Sequence, residues 1–96
     1  MKRLSDAEEM VMSVIWNNDE LMSLEEIRKK SYEKYGKDWK PQTVSTFLAR
    51  LVKKGYLSVY RKGRYSYYQP LVSKEEFKTS TVSENIRYFN QGNIGA

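Results

Sequence analysis

Three tetrapeptides of the form Ser-x-x-Glu punctuate the chain: Ser5–Glu8, Ser23–Glu26 and Ser73–Glu76. Each stands at the head of a stretch whose apolar residues recur at helical spacing. In such a box the serine hydroxyl accepts the backbone N–H three residues on, and the glutamate reaches back to the serine N–H. Two donors that a helix start leaves without partners are satisfied at once. After the first box, Ala7, Met10, Val11, Val14 and Ile15 form the i, i+3, i+4, i+7, i+8 stripe of an amphipathic helix, which ends at Asn17-Asn18-Asp19. After the second, Leu24, Ile27 and Tyr35 face inward, and Arg28, Lys29 and Lys30 face water. Gly36 supplies the left-handed residue that closes that helix. The Leu21-Met22 segment ahead of it suits a single extended strand.

A further helix begins without a box. Pro41 fits the first helical position, where a missing N–H costs nothing, and the helix is expected to run to Lys54 and stop at Gly55. Its buried stripe is Val44, Phe47, Leu48 and Leu51, with Val52 at the margin. Next, Leu57–Arg61 and Arg64–Pro70 are rich in β-branched and aromatic residues and flank Lys62-Gly63, a short turn with glycine in second place. This is a hairpin whose register stays open, because its second strand has aromatic residues on both faces. The third box starts a last helix with Phe77, Val82, Ile86 and Phe89 on one side, fading at Gln91-Gly92-Asn93. The order helix, helix, helix, hairpin, helix predicts a mainly α fold with a small β-hairpin. It is a winged helix-turn-helix with a three-helix core, a two-stranded wing and a C-terminal helix. Residues 1–72 form the winged domain, and residues 73–96 begin a C-terminal helical region. Trp16, Trp39 and Tyr56 read as packing residues.

The chain has no cysteine and no histidine among its 96 residues. Disulfides, the usual thiolate and imidazole ligands of zinc, and Cys–His or Ser–His catalysis are thereby excluded. Neither a cofactor nor an enzymatic activity is expected. The N-terminus turns acidic at once and lacks the apolar core of a signal peptide. No apolar stretch nears the roughly 20 residues that span a bilayer, so a cytoplasmic protein without a membrane partner is expected.

Charge is unevenly spread. Residues 1–26 carry two basic and seven acidic side chains, a net of −5; residues 27–96 carry fifteen basic and five acidic, a net of +10. Such asymmetry marks one surface as a site for a polyanion, or as a merely solvated basic face. The third helix weighs on this choice. Opposite its buried stripe stand Gln42, Thr46, Ala49 and Lys53, flanked by Thr43 and Arg50, and residues 40–54 contain no acid. Amide, hydroxyl, guanidinium and ammonium groups are those that hydrogen-bond base edges and phosphates. Ala49 keeps the middle of the face low enough to enter a major groove. The hairpin tip, Arg61-Lys62-Gly63-Arg64, adds three cations, suited to phosphates or to discouraging edge-to-edge aggregation. Two other readings stay open. A winged helix that docks proteins would show an apolar patch on the third helix or the wing. A single-strand binder would expose its strand tyrosines.

Leu4-Ser5-Asp6-Ala7-Glu8 and Val14-Ile15-Trp16, the run Thr43–Gly55, Lys62-Gly63-Arg64 and Tyr68-Gln69-Pro70 together resemble the penicillinase-repressor family of bacterial regulators. The resemblance spans nearly the whole chain, and the helix-three run with its Lys-Gly-Arg wing is the most specific part. It implies a homodimeric repressor on a dyad-symmetric DNA operator. Thr43, Thr46 and Arg50 would lie at or near bases with Gln42 beside them. Lys40 and Lys53 would support them at phosphates, and Arg61, Lys62 and Arg64 would grip the backbone. The family dimerises through helices after the wing, here represented by Ile86, Tyr88 and Phe89. It is released from DNA by a protease acting there, or by metal at C-terminal cysteines that this chain lacks. The chain stops at Ala96, where those helices would begin, so a truncated or unusually short member is expected.

Overall fold

The computed structural model describes residues 2–79. In chain order these form α1 (Asp6–Trp16), β1 (Met22–Ser23), α2 (Leu24–Tyr35), α3 (Pro41–Lys53), β2 (Leu57–Lys62) and β3 (Tyr65–Pro70). Residues 74–79 open a further helical segment. All three capping boxes form. The serine hydroxyls accept from Glu8, Glu26 and Glu76 N–H at 3.2, 3.3 and 3.0 Å. The serine N–H groups donate to the same glutamates at 2.8, 2.9 and 2.8 Å. Helix α2 closes on Gly36 at φ 68°, as expected.

The helices and the sheet enclose one core built from Val11, Met12, Val14, Ile15, Met22, Ile27, Val44, Leu48, Leu51, Tyr56 and Leu57, with Leu4 at its edge. The buried arc of α1 is wider than the predicted stripe. Met12 is fully buried, whereas Ala7 and Met10 are half-buried. The reason is that α1 touches α2, α3 and β3 together, so more than one stripe is covered. The aromatic residues pack as predicted. Trp39 meets Phe47 edge-on with centroids 5.1 Å apart. Trp16 donates its indole N–H to the Val72 carbonyl at 2.8 Å and lies 5.4 Å from the Phe77 ring, which fastens the chain after β3 to α1.

The strands differ from the sequence reading in two respects. The hairpin belongs to a three-stranded antiparallel sheet of order β1-β3-β2, in which Met22 pairs with Tyr68 and Ser23 with Tyr67. The early strand is thus shifted by one residue, burying Met22 and leaving Leu21 exposed. The turn is shifted as well. Lys62 pairs with Tyr65, so the two-residue loop is Gly63-Arg64, with glycine first rather than second. Gly63 sits at φ 65° while, among the described residues, no non-glycine residue has a positive φ, as a type II′ turn, whose twist matches the strands, requires. The expected dimerisation residues Ile86, Tyr88 and Phe89, with Val82 of the same helix, lie outside the described residues.

Candidate nucleic-acid interface

Helix α3 is held from one side. Val44, Leu48 and Leu51 are fully buried, and Phe47 and Val52 border them. This fixes which residues face outward: Gln42, Ser45, Thr46, Ala49, Arg50 and Lys53 are all exposed, again an i, i+3, i+4, i+7, i+8, i+11 stripe. Four of the predicted residues, Gln42, Thr46, Arg50 and Lys53, therefore share one surface. Thr43 lies half-buried at its edge, and Lys40 is exposed at the N-cap. Ser45 completes the stripe on the side opposite Arg50 and was missed. Its signal was available, since it stands three residues after Gln42 and four before Ala49. The Thr46 hydroxyl donates to the Gln42 carbonyl at 3.0 Å, which fixes its rotamer and leaves its lone pairs outward as acceptors.

The start of α3 is unlike that of the other helices. Lys40 makes no side-chain cap, Pro41 occupies the first turn, and no acid stands there. Both α1 and α2 carry serine caps and first-turn acids. The uncapped N–H groups of Gln42 and Thr43 and the positive end of the helix dipole thus face solvent, as suits a phosphate oxygen.

Helix α3 leads into the hairpin through only Lys54, Gly55 and Tyr56. The Gly55 and Tyr56 N–H groups donate to the Val52 and Leu51 carbonyls at 3.0 and 2.9 Å, so the hairpin root is set by the helix end. By strand alternation Arg61 shares the face of Leu57 and Val59, the side on which the helices lie. Lys62 shares the opposite face with Tyr60, and Arg64 occupies the loop. The three tip cations therefore splay rather than form one patch.

Among the described residues Lys40, Arg50, Lys53, Arg61, Lys62 and Arg64 take part in no ion pair. The acid-free run extends well beyond α3, from Trp39 to Lys74. Cations without an ion-pair partner border a polar helix face whose own stretch of chain carries no acid. Lys54 is the exception. Its ammonium lies 2.6 Å from the Glu8 carboxylate, which is 1% exposed, and 3.0 Å from the Arg3 carbonyl. Its sequence position marks Glu8 only as a capping acid. Burial, the largest single influence, pushes its carboxyl pKa up. The Lys54 ammonium and the Ser5 N–H together outweigh this and leave it below its ordinary value. The pair ties the C-terminal end of α3 to the first turn of α1. With the Tyr56 hydroxyl donating to the Lys2 carbonyl at 2.5 Å, it anchors the chain's first residues beside the helix end.

No group of acidic, histidine or cysteine side chains among the described residues is arranged to hold a metal ion. No helix among them is long and apolar enough to cross a membrane.

The sequence profile of the penicillinase repressor family matches residues 4–96. The chain belongs to the penicillinase repressor family. It is 36% identical over 94 residues to the penicillinase repressor of Bacillus licheniformis, a match covering 98% of this chain and 71% of that protein. To the methicillin resistance regulatory protein MecI of Staphylococcus aureus it is 29% identical over 96 residues, covering 97% of this chain and 73% of the relative. Among solved structures it resembles the monomeric form of Bacillus licheniformis BlaI in complex with the blaP half-operator. That match has a TM-score of 0.63 and 35% identity, and covers 78% of this chain and 88% of that one. A penicillinase repressor is a DNA-binding transcriptional regulator and not an enzyme, and the winged helix-turn-helix described above is the fold that family uses.

Proposed function

We propose that this protein is a cytoplasmic repressor that binds a pseudo-palindromic operator as a homodimer. Helix α3 lies in the major groove and the hairpin acts as a wing on the DNA backbone. The observation that carries this reading is the exposed stripe of α3, acid-free, polar and rimmed by unpaired cations. Gln42, Thr43, Thr46 and Arg50 contact bases or lie beside them, and Ser45 joins them from the other flank. Arg50 is suited to the O6 and N7 acceptors of guanine, and Ala49 to a thymine methyl. Lys40, Lys53, Arg61, Lys62 and Arg64 hold phosphates, Arg61 from the helix side of the wing and Lys62 from its outer face. The solved BlaI–half-operator complex supports duplex DNA as the ligand. Pairing runs through the region of Ile86, Tyr88 and Phe89, and a protease acting on that region would release the operator by uncoupling the dimer.

The rival reading, a protein-docking winged helix, calls for an apolar patch on α3 or the wing. The large apolar side chains exposed among the described residues are Leu21, Tyr32, Val59, Tyr60, Tyr65 and Leu71; none belongs to α3, and the three on the hairpin, Val59, Tyr60 and Tyr65, stand beside Arg61, Lys62 and Arg64. The test is selection of fragments of the source genome on the immobilised protein at near-physiological salt, followed by sequencing. An enriched motif with two-fold symmetry is expected. Random retention that vanishes with modest added salt would reduce the surface to a merely basic one and refute operator reading.

A further inference from the structure

The outer face of the hairpin carries side chains used neither by the core nor by the α3 surface. The register sets Ser58, Tyr60 and Lys62 of β2 opposite Gln69, Tyr67 and Tyr65 of β3, and strand alternation puts all six on one face. The reverse face holds buried Leu57 and the core-packed Tyr68, so the six look away from the helices. Tyr60 is 52% and Tyr65 59% exposed, and Tyr67 is half-buried. Among the described residues none of these three tyrosines makes a ring contact or a hydrogen bond with its hydroxyl. Tyr60 and Tyr67 are direct cross-strand neighbours, with Cβ atoms about 4.5–5.5 Å apart, and Tyr65 lies about 7 Å further along β3. Two exposed rings and one half-buried ring thus occupy a patch the size of two or three bases.

The hairpin itself carries charge of one sign only. Lys62 stands on the face, directly across from Tyr65, while Arg61 and Arg64 stand at the tip. The stretch from Trp39 to Lys74 supplies no acid. Aromatic rings beside cations match a polyanion that also presents flat π surfaces. Duplex DNA hides its base faces in its own stack, whereas an unpaired strand offers them.

We propose that the outer face of the hairpin is a stacking platform for single-stranded nucleic acid. Tyr60, Tyr65 and Tyr67 take successive bases, and Lys62 takes the intervening phosphate. This activity is separate from duplex reading by α3 and does not depend on it. It is tested with the full chain and a fluorescein-labelled oligothymidine of about twelve nucleotides, within the site sizes of single-strand-binding sheets. Anisotropy and quenching of tyrosine fluorescence are the readouts. Binding with tyrosine quenching is expected. Tyr60→Ser, Tyr65→Ser and Tyr67→Ser should each weaken it about fivefold or more, and Tyr→Phe at the same positions should largely keep it, because the ring does the stacking. Tyr65→Ser, at the hairpin tip, is the variant least able to disturb folding. Arg50→Ala should weaken duplex binding while single-strand binding remains, so failure of either activity can be told from failure of the other. The proposal is overturned if the wild type ignores the oligothymidine at salt that sustains duplex binding. It is equally overturned if the serine variants bind as well as the wild type. A self-associated species that the serine variants dissolve, with single-strand binding unchanged, would instead assign the face to a second copy of the chain.

Discussion

Replacing Lys54 with methionine isolates the ion pair that joins α3 to α1. Methionine keeps most of the apolar stem but removes the ammonium, and with it the 2.6 Å contact to Glu8 and the 3.0 Å bond to the Arg3 carbonyl. The Glu8 carboxylate stays buried and keeps its bond from the Ser5 N–H but loses its cation. Removing one partner of a fully buried pair costs about 3–5 kcal/mol. The Lys54 side chain is 25% exposed, which screens the interaction, so about 2–3 kcal/mol is expected here. For a domain of this size that lowers the midpoint of thermal unfolding by roughly 10–20 °C. The pH dependence supplies a sharper signature. In the wild type the folded Glu8 pKa lies below its ordinary 4.5, so its contribution is present above that value and is lost as pH falls through the lowered one. In Lys54→Met burial prevails, the folded pKa rises, and the variant loses stability as pH climbs from the unfolded value to the raised one. The gap between the two melting temperatures should therefore widen from roughly pH 3 to pH 7, followed by circular dichroism. A gap under about 4 °C that stays constant with pH would refute the reasoning. Duplex affinity measured well below both melting points should hold, since the Lys54 ammonium is engaged by Glu8 and the Arg3 carbonyl.

Arg50→Ala should cost about 1–3 kcal/mol of operator binding and relax preference at one base position, whereas Lys53→Ala should weaken all duplexes alike; competition titrations on operator and scrambled DNA separate the two. The logarithm of the association constant should fall linearly with that of salt, and Arg61→Ala should make the slope shallower by about 0.9 if that guanidinium holds one phosphate. Gly63→Ala should lower stability by about 1 kcal/mol, read as a lower melting midpoint. A Cβ there meets nothing within 4 Å, so the cost is that of φ 65° alone. An unchanged midpoint would show that the loop relaxes to another turn.

Much of this protein was legible in its sequence because the deciding forces are local. A Ser-x-x-Glu box satisfies its own helix start, so three helices declared themselves in Ser5–Glu8, Ser23–Glu26 and Ser73–Glu76. The periodicity of Val44, Phe47, Leu48 and Leu51 fixed which side of α3 is buried and hence that Gln42, Thr46, Arg50 and Lys53 face outward together. The absence of acids there is a property of the chain before it folds. What remained undecided depends on partners distant in sequence. Met12 is buried because α1 is covered by α2, α3 and β3 at once, which no single helical stripe reveals. The hairpin register, and with it the separation of Arg61 from Lys62 and the gathering of Tyr60, Tyr65 and Tyr67 on one face, required Tyr68 to be drawn onto the core beside Met22. With aromatic residues at consecutive positions, alternation alone does not choose a face; burial against the helices does. Glu8 and Lys54 stand 46 residues apart, and only folding brings the acid of one helix start to the cation at the end of another.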